Sequence, residues 1–182
     1  MKKKIIYTLL SLLALFFVYA AYVISNPVSP LETVTYNIND KEISITYSRP
    51  FKKGRLIFGN ESESALVPFD KYWRTGANRH TVINTNSDLN FKDNMLSAGE
   101  YSLYTTPGLD SWDITFNSTN AFFGISKPDS EKDLFTITVP SNQLNESIEQ
   151  FTIDFIPSPP DGPSFSSIRL RWDLTEVVIP FN

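Results

Sequence analysis

Between Leu66 and Thr81 the string LVPFDKYWRTGANRHT gathers Trp73, Arg74, a Gly76-Ala77-Asn78 turn and His80, the one histidine of the chain. Each of these residue types carries a chemistry. An indole offers a flat apolar face for stacking, a guanidinium fork matches a carboxylate or phosphate, and a glycine lets the backbone come close to a ligand. If KYWRT is extended, Trp73 and Arg74 point to opposite sides. The same residues also suit an internal brace, with Trp73 in the core, Arg74 paired to a buried carboxylate such as Asp70, and Gly76 to Asn78 turning the chain. The sequence therefore poses a question: does Arg74 face a ligand or a carboxylate?

A second stretch, YSRPFKKGRLIFG from Tyr47 to Gly59, adds Arg55 as a candidate. Gly54 and Gly59 have the spacing that opens a Walker loop, but Asn60-Glu61 stands where Lys and Ser/Thr must reach the phosphates and magnesium. Pro50 and Gly54 read instead as a loop entering the short strand RLIFG. The candidate ligand-binding residues are thus Arg55, Trp73, Arg74, Asn78 and His80.

Catalytic readings find little support. His80 follows Arg79, whose charge opposes an imidazolium. No G-x-S-x-G, H-E-x-x-H or S-x-x-K string occurs, and the chain has no cysteine, so no cofactor or metal site is read from it. Asp129, Glu131 and Asp133 alternate like the start of a calcium loop but lack its glycine and distal glutamate, and read as a solvated acidic loop. The enzyme alternative is a carboxylate-dependent hydrolase using Asp70 with a second acid that the sequence does not identify.

Charge frames these candidates. The formal net charge is −4, and three of the 16 basic residues are Lys2, Lys3 and Lys4, so the remainder carries thirteen basic against twenty acidic residues, a net of −7. Bulk attraction to nucleic acid is excluded. Residues 49 to 80 nevertheless hold seven cations (Arg49, Lys52, Lys53, Arg55, Lys71, Arg74, Arg79) against Glu61, Glu63 and Asp70. That basic window is a place to bind something anionic if the fold gathers it.

The elements that must do the gathering are strands. Val34, Tyr36 and Ile38 alternate with polar residues, as do Ile43, Ile45 and Tyr47, with Asn39-Asp40 as hairpin chemistry between them. The alternation recurs in YSLYT, WDITF, LFTITV, FTIDF, IRLRWDL (Ile168, Leu170 and Trp172 inward, Arg169, Arg171 and Asp173 outward) and EVVIPF, with turns such as KDN and PSPPDGPS between strands. About ten strands and an aromatic content of 14% predict an all-β domain. The expected architecture is an antiparallel β-sandwich, jelly-roll or immunoglobulin-like, with a closed barrel as the less favoured form.

Ahead of it, Ile5 to Ile24 is uncharged, and as a helix it would span about 30 Å, the thickness of a hydrocarbon core. It reads as a transmembrane anchor or as an export signal; cleavage near residue 20 would make the domain secreted. The expected organisation is a cytoplasmic basic end (1–4), an anchor (5–24), a linker (25–31) and an extracytoplasmic domain (32–182), oriented by the lysines. SNPVSP is too short to hold the domain far from the bilayer.

YSRP, KGRLIFG, LVPFDKYWRTGAN and AGEYSLYTTP, in this order and followed by a tryptophan strand, resemble the bacterial exported family "domain of unknown function 2911". The resemblance runs from about Ser29 to the end and implies an exported β-rich domain on the periplasmic side of a bacterial envelope, with no activity attached. Arg55, Trp73, Arg74, Gly76 and Asn78 match its motifs. Members carry an acidic residue directly after Gly-Ala-Asn, where this chain has Arg79, which weakens an enzymatic role carried across from relatives. The function expected is a membrane-tethered domain binding an anionic or carbohydrate ligand in the cell envelope, with a hydrolase or a structural, partner-binding module as alternatives.

Overall fold

The computed structural model describes residues 2–119, 126–159 and 165–182. Among the described residues, one α-helix, α1 (Lys2–Ser25), precedes eleven strands: β1 (Leu31–Ile38), β2 (Lys41–Ser48), β3 (Phe58–Gly59), β4 (Val67–Pro68), β5 (Thr81–Thr85), β6 (Leu89–Phe91), β7 (Asn94–Leu96), β8 (Gly99–Pro107), β9 (Ser111–Asn117), β10 (Asp133–Ile156) and β11 (Ser166–Phe181). The stretch Lys3–Ser25 is long and apolar enough to cross a membrane, and none of it is buried against the domain. An isolated apolar helix of this kind has no core to bury in, so its side chains need lipid or another apolar partner.

Seven strands make one antiparallel sheet in the order β1-β2-β5-β8-β9-β10-β11, and β3-β4 and β6-β7 are two-stranded additions. The two layers expected of a sandwich are therefore not two separate large sheets. They arise because the one sheet curls until its ends meet: Tyr36 of β1 stacks on Phe155 of β10 with ring centroids 5.2 Å apart, and its hydroxyl lies 2.9 Å from Ser166 Oγ of β11.

The curl is made by β10. Its first half pairs with β9 and its second half with β11, with register shifts between Gln143 and Ile148 and between Ile148 and Thr152. Opposite, Asp173 of β11 has φ 51°. Bulges bend and twist a strand without ending it, so LFTITV and FTIDF, which read as two strands, are one strand of 24 residues. IRLRWDL and EVVIPF are likewise both in β11. The hairpin turns at Asn39-Asp40 and Lys92-Asp93 both form, Asn39 taking φ 53° as its residue type favours and Lys92 taking φ 54° although lysine does not favour it. The proline-rich turn lies, from residue 160 to 164, outside the described residues.

Alternation fills the interior. Ile168, Leu170 and Trp172 are buried while Arg169, Arg171 and Asp173 stay partly exposed. The chain has three tryptophans, and all are in one aromatic cluster. Trp73 lies 5.8 Å from Trp112 and 5.9 Å from Trp172, and Phe58 and Phe151 approach to 4.9 Å of Trp112 and Trp73 respectively. These mostly edge-to-face pairs join the layers beneath the basic window.

Candidate functional site

At the end of the sheet where β2 leaves for the β3 loop, a cleft of about 290 Å³ opens above the aromatic cluster. Arg55, Trp73, Arg74 and Asn78 all line it, together with Lys53, Phe51, Leu66, Trp172 and the linker residues Val28 and Ser29. Four of the five candidate residues thus share one site, although Arg55 and Arg74 come from separate loops.

Each loop is held by its own chemistry. Arg55 N–H donates to the carbonyl of Lys52 at 3.1 Å, closing a turn whose central residues, Lys53 and Gly54, have φ of 49° and 68°. Positive φ at both central positions is the mark of a primed turn and favours glycine. Arg55 folds back over this turn, donating from Nε to the carbonyl of Lys52 at 2.9 Å and from Nη2 to that of Phe51. These bonds fix the guanidinium and leave Nη1 without an acceptor among the described residues.

The second loop is tied down along its length. Trp73 exchanges both backbone hydrogen bonds with Thr105 of β8, at 2.8 and 2.9 Å, and its Nε1–H donates to the carbonyl of Gly76 at 3.0 Å. Thr75, fully buried, takes φ 56°, a conformation that a β-branched residue rarely adopts. Its Oγ1–H donates to Thr105 Oγ1 and its carbonyl accepts from Thr81 Oγ1 at 2.6 Å. Gly76 has φ 150°, and a Cβ there would lie 2.8 Å from the carbonyl oxygen of Ser48. The positive φ at Thr75 and Gly76 turns the loop back against β2, and the bonds to Thr105, Thr81 and the Trp73 indole hold Thr75 in a conformation it would not keep alone.

Trp73 and Arg74 differ in burial, although both line the cleft. Trp73 is only 7% exposed, so it is the floor of the cleft and a core residue more than a free stacking platform. Arg74 is partly exposed; its Nη1 reaches the carbonyl of Asn78 at 3.5 Å, and it forms no ion pair among the described residues. Asp70, its expected brace, is exposed and lies in a separate depression with Asp110 and Asp113. The brace built on Asp70 is not formed.

Six of the seven cations of the basic window, all but Arg79, divide into two groups. Arg49 pairs with Glu32 at 3.0 Å, Lys52 with Asp173, and Lys71 with Glu61 at 3.4 Å. Lys53, Arg55 and Arg74 line the cleft without an ion pair among the described residues, and none of the residues lining it is an aspartate or glutamate. Burial pushes the neighbouring Tyr72 phenol up to about 12, against the opposing pull of the Arg74 charge.

His80 does not join the site. It is 3% exposed at the start of β5, with Nε2 3.1 Å from the carbonyl oxygen of Ser126. Its adjacency to Asn78 in sequence does not become adjacency in the cleft, because the strand that begins there turns it inward. The acidic loop is structural in its contacts: Asp129 accepts from the N–H of Glu131 at 3.1 Å, and Asp133 accepts from Tyr104 Oη and Asn117 Nδ2, both at 2.7 Å. Lys53, Val28, Ser29 and Trp172 were not singled out from sequence. Lys53 alone gave a signal, as a member of the basic window.

The family described as "Protein of unknown function (DUF2911)" matches residues 29–181. The chain belongs to this DUF2911 family. Its matched region begins at Ser29, on the wall of the cleft, and takes in every strand of the curled sheet. No curated protein and no solved structure matches the chain. For this DUF2911 domain, then, the chemistry of the cleft is the guide to function.

Proposed function

We propose that this DUF2911 domain is a binding module, tethered by α1 on the outer side of the membrane in a bacterial cell envelope, whose cleft takes an anionic ligand, including acidic carbohydrate. One observation carries the reading: three cations line one cleft, no carboxylate does, and none of the three is ion-paired among the described residues. Glu149 accepts from the backbone N–H of Lys53 at 2.8 Å but lines no part of the cleft; gathering three cations with so little counter-charge is unfavourable, and a bound anion relieves it. The geometry of the donors fits. Nη1 of Arg55 and Nε and Nη2 of Arg74 remain for charge-assisted bonds to carboxylate, sulfate or phosphate oxygens. The orientation follows from Lys2, Lys3 and Lys4 staying on the cytoplasmic side.

The hydrolase alternative gains nothing from the cleft, since no acid lines it to serve as general acid or nucleophile. The test is a titration of the full chain, in a neutral detergent, with inorganic phosphate, sulfate and uronic acids. Tryptophan emission is the readout, because Trp73 and Trp172 line the cleft. A saturable change in the wild type that is lost in Arg74→Ala is expected. An emission spectrum indifferent to every anion would overturn the proposal.

A further inference from the structure

The linker between α1 and the sheet is part of the cleft wall, and this narrows the ligand. Asn26 closes the helix, its N–H and Nδ2 donating to the carbonyl of Tyr22 at 2.9 and 3.0 Å. Pro30 is already docked on the domain, its carbonyl accepting from the N–H of Arg49 at 2.8 Å. Between these fixed points stand only Pro27, Val28 and Ser29, and the last two line the cleft. Four Cα-to-Cα steps join Ser25, the last residue of the helix, to Ser29, a reach of at most about 14 Å. The polar layer on each face of a bilayer is about 5–8 Å thick. Whatever the tilt of α1, the cleft rim stays within reach of the head groups.

Resting on the reading of the cleft as an anion site, we infer that its ligand is the phosphate-bearing head group of an anionic lipid in the same bilayer that α1 enters. The rim has the amphiphilic character such a ligand needs. Lys53, Arg55 and Arg74 supply the donors for a phosphodiester, while Val28 and Leu66, 71% and 43% exposed, sit beside them on the same wall. A small soluble anion would leave those apolar side chains without a role. A lipid places its glycerol and first methylenes against them. Leu56, 44% exposed and bonded through its carbonyl to the N–H of Leu66, extends that apolar rim. The rest of the domain is acidic, so an anionic surface repels it in bulk, and a local cationic cleft at the anchor decides which face it turns to the membrane.

The experiment uses the full chain in two settings, with indole emission as the readout. In nanodiscs, phosphatidylcholine alone is compared with phosphatidylcholine plus phosphatidylglycerol. In neutral detergent, short-chain phosphatidylglycerol is titrated beside inorganic phosphate. The phosphatidylglycerol discs should shift the emission, and the Arg55→Ala/Arg74→Ala variant, checked for an unchanged thermal transition, should lose the shift and bind the short-chain lipid at least about tenfold more weakly. Val28→Ser/Leu66→Ser should weaken the short-chain lipid and leave inorganic phosphate unchanged, a split that a site for free phosphate would not produce. Saturation by phosphate with no response to either form of phosphatidylglycerol would overturn the lipid inference and leave the anion site standing. Silence in every arm would remove both. An undiminished disc response in the Arg55→Ala/Arg74→Ala variant would assign it to diffuse attraction and overturn the lipid inference alone.

Discussion

Arg74 Nη1 points at the carbonyl oxygen of Asn78 across 3.5 Å, four residues along the same loop, and no carboxylate among the described residues takes its other donors. The guanidinium therefore lies over its own turn at the mouth of a cleft. It does not neutralise a buried acid. This bears directly on what its removal should do.

Arg74→Ala should cost less than about 1 kcal/mol of unfolding free energy, the range of substitutions that leave no buried group stranded. A brace to a buried carboxylate would cost about 3–5 kcal/mol when cut. Urea denaturation followed by far-ultraviolet circular dichroism separates the two, and a loss in the larger range would mean that Arg74 is structural after all.

Trp73→Ala should behave in the opposite way. Trp73 touches Phe58, Trp112, Phe151 and Trp172 in the cluster that joins the layers, and emptying such a site costs about 3–5 kcal/mol. Trp73→Phe keeps most of the packing but forfeits the Nε1 bond to Gly76, so its loss should be smaller. Equal losses in the two variants would show that the bond to Gly76, not the packing, holds the loop.

At Gly76 the backbone has φ 150° and a Cβ would sit 2.8 Å from the oxygen of Ser48. Gly76→Ala should cost about 1–3 kcal/mol from backbone strain, with the clash against β2 added to it. Anion titration of the surviving fold should also weaken, because relief of the clash moves the loop that carries Arg74. An unchanged midpoint in urea would show that the loop gives way freely.

Much of this is legible in the sequence, and the reasons for the rest are physical. Period-two alternation gave the inward set Ile168, Leu170 and Trp172, because a strand has only two faces. It gave no strand at residues 141 to 150, between LFTITV and FTIDF, where Asn142, Gln143, Asn145, Glu146 and Ser147 leave no apolar alternation to read. There the bulges of β10 break the alternation, and the pairing with β11 shifts register between Gln143 and Ile148 and again before Thr152 without ending the strand. The cleft divides likewise. Arg55, Trp73, Arg74 and Asn78 stand in short motifs, but Val28 and Trp172 join them only through the curl of the sheet, a long-range event that no local pattern encodes. His80, the one imidazole of the chain, neighbours them in sequence, and the start of β5 carries it away.

The ion network on β10 and β11 sets an acid limit on stability. Arg169 binds Asp154 through two nitrogens at 2.8 Å each, and Arg171 adds a third contact at 2.7 Å. Burial alone would raise the Asp154 carboxyl, but the hydrogen bonds and charges of the two arginines outweigh it and hold the group below the usual carboxylate range. A carboxylate depressed on folding contributes stability that is fully present above its unfolded value, about 3.9, and is lost as pH falls through the lower folded value. Asp154→Asn should thus lower stability at neutral pH and flatten the decline below about pH 4. Parallel acid limbs in wild type and variant would rule out this network as a source of the decline.

Tyr72 offers the reverse kind of test. Its ring packs on Tyr104 with centroids 5.3 Å apart, yet its hydroxyl is buried with no hydrogen-bond partner among the described residues. A buried hydroxyl left unsatisfied carries a desolvation penalty of about 1–3 kcal/mol, so Tyr72→Phe should keep the ring contact and remove the penalty. The variant should be as stable as the wild type or up to about 1 kcal/mol more so. Because burial holds the phenol protonated up to about 12 in the folded chain, against about 10 when unfolded, the wild type also loses stability as pH rises above 10. The variant should lose less. Thermal midpoints of the two proteins at neutral pH and at pH 10 to 11 check both points, and a destabilised Tyr72→Phe would show that the hydroxyl has a partner worth keeping.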